Sequence, residues 1–143
     1  MFSLEQAERL LPQLDGWLRA AIEGRKQIAE IESEYADTVR LVSTSGGRVI
    51  DVAYWMRRKK EEEEWTTRLR DAAGQIENCG CVVKDLDIGL IDFPFELDGR
   101  EVYLCWKLGE PSIAFWHNTD EGFAGRKPIN SQFREGSHPS RPI

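Results

Sequence analysis

"CVVKDLDIGLIDFPFELDGREVYLCWKLGEPSIAFWH", Cys81 to His117, is the stretch that decides the fold. Short runs of β-branched and aromatic residues follow one another, divided by two strong turn signals, Asp98-Gly99 and Gly109-Glu110-Pro111. Strands are expected near Val82 to Lys84, Gly89 to Phe93, Glu101 to Leu108 and Ser112 to Trp116. In the third, alternation puts Val102, Leu104 and Trp106 on one face and Tyr103, Cys105 and Lys107 on the other. Pro94 cannot donate to a ladder, so its strand should end there, bend or lie at an edge. The result is a three- or four-stranded antiparallel β-meander over residues 82–118.

The region before this stretch has a different period. Ser3 with Gln6 fits a capping box, and from there Leu4, Ala7, Leu11, Leu14, Leu18, Ala21, Ile28, Tyr35, Val39 and Val42 recur at three-and-four spacing. Only Arg25 and Glu32 interrupt this stripe, which suits a helix face or a coiled-coil seam. A first helix over 4–42 follows, with a bend expected at Pro12 because proline lacks the amide hydrogen and crowds the preceding turn. "STSGG", Ser43 to Gly47, reads as a turn. A second helix is expected over 51–78, capped by Asp51. Its centre, "RRKKEEEE" from Arg57 to Glu64, sets up i,i+4 pairs, each worth roughly 0.2–0.5 kcal/mol at best in this base-before-acid order. A short glycine-rich connection favours an antiparallel hairpin. The sequence thus predicts one α+β domain, a long antiparallel helical hairpin packed against the meander, with an extended, polar segment over 119–143. The helices carry more apolar surface than a small core needs, which calls for a covering sheet or a partner subunit; a homodimer is the preferred form of assembly.

Composition sets the outer bounds. The 143 residues suit a single domain, and 19 basic against 25 acidic side chains give a net charge of −6. That balance offers no long-range attraction to phosphate backbones or anionic lipid, so neither nucleic acid nor membrane is an expected partner. No apolar run is long enough to span a bilayer and no leader pattern is present, so a cytoplasmic location is expected. The three cysteines do not resemble a disulfide framework.

Chemistry concentrates in "SIAFWHNTDEGFAGR", Ser112 to Arg126. His117 can act as acid or base near neutral pH, Asp120 or Glu121 can orient it, and the Arg126 fork suits a small anionic ligand. Trp106 and Trp116 flank the last hairpin as core anchors or as the walls of a pocket beside His117. The bland reading is that His117 and Asn118 stop the strand, Asp120 caps a turn, and Gly122 and Gly125 let the chain fold back. No cofactor is demanded, but Cys79, Cys81, Cys105 and His117 form an alternative ligand set for zinc or another divalent metal, without the paired knuckles of ordinary structural sites. Asp85, Asp87 and Asp92 make a separate acidic run that does not match an EF-hand. Nucleophile-elbow, phosphate-loop, zincin and dinucleotide motifs are absent.

The runs "GLIDFP", "DGREVYLCWKLGEP" and "FWHNTDEGFAGRKPI", with the opening "FSLEQAERLLPQLDGWL", resemble the DUF2203 family across nearly the whole chain. The resemblance implies a self-contained domain whose most characteristic polar segment is "WHNTDEGFAGR"; it brings no activity with it and assigns no role to Trp116, His117, Asp120, Glu121 or Arg126. Two functions therefore stand side by side: a homo-oligomeric structural or interaction domain using the helical hairpin, and a small-molecule binder or hydrolase around His117, Asp120, Glu121 and Arg126, with or without a metal.

Overall fold

A computed structural model describes residues 1–44, 46 and 50–136. The first helix, α1, spans Leu4–Thr44. Its start is the capping box read from the sequence: the Gln6 amide donates to Ser3 Oγ at 3.1 Å, and the Ser3 amide donates to Gln6 Oε1 at 2.9 Å. The helix runs unbroken through Pro12. Ser43 and Thr44 belong to its last turn, whereas Ser45 and Gly47 of the expected turn lie outside the described residues, as do residues 137–143 of the expected tail.

The second helix, α2, spans Val52–Asn78, and Asp51 caps it by accepting from the Tyr54 amide at 3.0 Å. The two helices pack closely at Gly24, where an added Cβ would stand 3.3 Å from both Leu69 Cβ and the Trp65 carbonyl. A side chain at that point would push the helices apart. Between them, Arg58 reaches Glu34 of α1 at 2.9 Å and Glu61 at 2.9 Å, and the Tyr54 hydroxyl donates to Glu34. The i,i+4 pairs expected in "RRKKEEEE" do not form: Arg57, Lys59, Lys60, Glu62, Glu63 and Glu64 make no ion pair with another described residue. With base before acid, exposed pairs gain too little against the helix dipole to hold long side chains in place.

The sheet has five antiparallel strands in sequential order. They are β1 (Val82–Asp85), β2 (Leu90–Leu97), β3 (Arg100–Lys107), β4 (Phe115–Asn118) and β5 (Lys127–Pro128). The expected count of three or four misses β5, whose two residues are too few to carry a period. Strand β2 does not stop at Phe93 but passes through Pro94. The reason is local: β1 pairs with β2 only as far as Val82 opposite Asp92, so beyond Asp92 that side of β2 is open. The Pro94 carbonyl accepts there from the Phe2 amide at 2.9 Å, so the missing proline N–H, on the same side, costs no ladder bond. Asp98 and Gly99 both take positive φ, 52° and 80°, the backbone that a two-residue hairpin of this twist requires.

One face of the sheet meets α1. Ile91, Phe93, Phe95, Val102, Leu104 and Trp106 pack there with Leu4, Leu11, Leu14 and Leu18. Trp106 is a core anchor whose indole N–H donates to the Glu110 carbonyl at 2.9 Å. The segment expected to be extended after residue 119 instead contains a 3-10 turn (Phe123–Gly125), β5, and a short helix, α3 (Ser131–Gly136). Its buried aromatic group explains this: Phe133 is buried against Phe95 and Trp116, with ring centroids 5.2 and 5.4 Å away. Among the described residues no helix is long and apolar enough to cross a membrane.

Candidate metal or ligand site

The opposite face of the same strands carries a different kind of core. Strand register sets Asp92 of β2 directly across from Cys105 of β3, and His117 of β4 across from Tyr103, two residues away from Cys105 on the same face. Asp92, Cys105 and His117 are exposed by only 0%, 0% and 2%. One ligand atom from each lies within 4.8 Å of the others.

The histidine geometry is the most informative part. Its Nδ1 lies 2.7 Å from the Asn118 carbonyl oxygen, an acceptor, so Nδ1 carries a proton and donates. Its Nε2 lies 3.0 Å from both carboxylate oxygens of Asp92, which in ionised form are also acceptors only. Something positive must therefore lie between Nε2 and the carboxylate: a proton or a cation. Burial, and then the neighbouring Asp92 charge, push the Cys105 thiol pKa up to about 12. Without a metal, Cys105 is a neutral thiol and a poor nucleophile.

The loop after β4 is fixed by polar contacts, and its Arg126 packs on Phe115 of this face. Glu121 Oε1 accepts from the Asn118 amide and side chain, both at 2.9 Å, and from Lys127 Nζ. The Lys127 bond, followed by the Asn118 amide, holds the Glu121 carboxyl down at about 2. Arg126 Nη2 donates to the Glu110 carboxylate at 2.7 and 3.0 Å and to the Cys105 carbonyl at 3.3 Å. Its guanidinium lies 4.1 Å from the Phe115 ring centre and 4.7 Å from that of Phe123.

Of the residues singled out in the sequence, the structure brings together His117 and Cys105, with Arg126 against the Cys105 backbone. It gives His117 a partner, Asp92, other than the proposed Asp120 or Glu121. Asp120 is exposed in the turn, and Glu121 serves the loop. Arg126 is engaged by Glu110. Trp116 alternates to the helix side, beside Phe133, Arg100 and Lys127. Cys79 caps α2, and buried Cys81 donates its thiol to the Ile76 carbonyl at 3.5 Å. Burial raises the Cys79 thiol and takes Cys81 to about 11, with Cys79 the second cause for Cys81.

Asp92 is the residue that sequence reasoning left in the wrong company, grouped with Asp85 and Asp87. Asp85 accepts from the Asp87 amide, and Asp87 pairs with Arg25. The available signal was an acid flanked by Ile91 and Phe93 in an apolar strand, where a charge needs a specific partner.

A family model described as "Uncharacterized conserved protein (DUF2203)" matches residues 1–129. No curated protein and no solved structure matches the chain.

Proposed function

The chain belongs to the DUF2203 family, whose description carries no activity, and we propose from the site itself that it is a metal-binding domain in which Asp92, Cys105 and His117 hold zinc or another divalent cation. The observation that carries this reading is the His117 ring: Nδ1–H is committed to a backbone carbonyl, the arrangement that presents Nε2 to a metal, and Nε2 faces a carboxylate. Oxygen, sulfur and nitrogen donors together suit zinc, and an ionised carboxylate and thiolate neutralise a divalent charge. The 3.0 Å separations are hydrogen-bond lengths, and a metal with bonds of about 2.0–2.3 Å would spread the donors by a few tenths of an ångström. Because all three residues are buried, the cation would tie β2, β3 and β4 together; use of His117 as a base toward a small anionic ligand would require the loop carrying Phe123 and Arg126 to open.

Metal analysis of protein purified without added metal, followed by cobalt substitution, tests the reading. We expect one metal per chain, a thiolate-to-cobalt absorption band, and loss of both in His117→Ala and Cys105→Ala. A paired Cys79→Ser, Cys81→Ser variant should keep the metal, whereas its loss there would favour the cysteine-rich set. No metal, and no thermal shift on adding zinc, would overturn the proposal.

A second reading, self-association through the hairpin, rests on a separate observation. Beyond the sheet, Tyr35, Val39, Val52 and Met56 are exposed by 57%, 47%, 63% and 67%. These residues form an apolar face on both helices at once. Sedimentation across a concentration series tests it, and a single-chain mass at every concentration would defeat it.

A further inference from the structure

The exposed part of the hairpin holds a groove of about 570 Å³, lined in part by Tyr35, Val52, Trp55, Met56, Lys59 and Glu62. On α2, the positions Val52, Met56, Lys59, Glu63, Thr66 and Arg70 follow three-and-four spacing and so share one face. Resting on the self-association reading, we infer that a second copy of this chain packs antiparallel along that face, about a two-fold axis midway between Lys59 and Glu63.

Charge points to this occupant. Arg57, Lys59 and Lys60 precede Glu62, Glu63 and Glu64, and none of the six has an ion-pair partner among the described residues of its own chain. A helix with a basic block followed by an acidic block repels a parallel copy and complements an antiparallel one. A two-fold axis midway between Lys59 and Glu63 lays Lys59 of each copy against Glu63 of the other, and Met56 against Thr66. Each contact then occurs twice, as an isologous interface demands. Met56 of each copy supplies apolar burial against the Thr66 methyl and the Arg70 stem of the other, while the charges fix direction and register. Arg58 and Glu61 are already held within the hairpin, so they are not needed for the pairing.

Two charge-reversed variants test the geometry. The acidic form carries Arg57→Glu, Lys59→Glu and Lys60→Glu; the basic form carries Glu62→Lys, Glu63→Lys and Glu64→Lys. Native protein should sediment at twice the chain mass, each variant alone at the single-chain mass, and an equimolar mixture at twice that mass as a one-to-one pair. Helix content measured by circular dichroism checks folding; if either triple variant loses it, Lys59→Glu and Glu63→Lys replace the triples in the same mixing test. Dimers that persist in both separate variants, or a mixture that stays monomeric while native protein is dimeric, would overturn the antiparallel register and leave self-association standing. A native chain that stays monomeric at every concentration would sink both.

Discussion

The two faces of the sheet are built from the same strands and each holds fully buried side chains, yet those side chains are held by different physics. Toward α1, Ile91, Phe93, Leu104 and Trp106 meet leucines in a layer that needs only shape and volume. Away from α1, Asp92, Cys105 and His117 are as fully enclosed, but the His117 ring and the Asp92 carboxylate depend on particular partners at particular distances. Hydrophobic contact is non-directional and degrades gradually, whereas a buried hydrogen-bonded pair fails once one member is removed.

The largest test of that contrast is Asp92→Ala. It leaves His117 facing an empty position in a buried site and should cost about 3–5 kcal/mol in urea unfolding of the metal-free protein. On the other face, Leu104→Met changes shape but keeps volume, and should cost less than about 1.5 kcal/mol by the same measurement. A comparable loss for the two substitutions would erase the distinction. The double variant Asp92→Leu, His117→Leu sharpens it further. With both polar partners gone, stability should return to within about 1 kcal/mol of native, because the desolvation cost disappears together with the pair, while any response to zinc is abolished.

The smallest effect belongs to the loop. The Glu121 carboxyl is held at about 2, below its ordinary value of 4.5, so its contribution is present in full above about 4.5 and is lost as pH falls through about 2. Glu121→Gln should therefore lower the melting temperature slightly at pH 7, and the difference from native should shrink as pH drops from 4.5 toward 2. A difference that stays constant over that range would assign the effect to packing against Gly125 rather than to charge.

Much of the architecture was legible from residue order. The capping box, the Asp51 cap, the Asp98-Gly99 turn and the stripe from Leu4 to Ala21 involve groups within a few residues of each other, and each forms as read. The stripe continues to Tyr35 and Val39, but these are exposed, because the sheet covers only the first half of α1 and the close approach to α2 shifts the buried positions to Gly24 and Ile31. Pro94 was read as an end, a bend or an edge of its strand; β2 runs on through it at a local edge, and no local feature reveals that β1 ends opposite Asp92. His117 was identified as the chemical residue, but Asp92 lies 25 positions away.

By itself, then, the sequence determined the helices, most of the strands and their main turns, since caps, periods and backbone preferences act over a turn of helix or one hairpin. Tertiary structure alone decided that Asp92, rather than Asp120 or Glu121, meets His117, and that Cys105 joins them while Cys79 and Cys81 do not. Strand pairing made that choice: it joins residues distant along the chain through a register that no local period encodes.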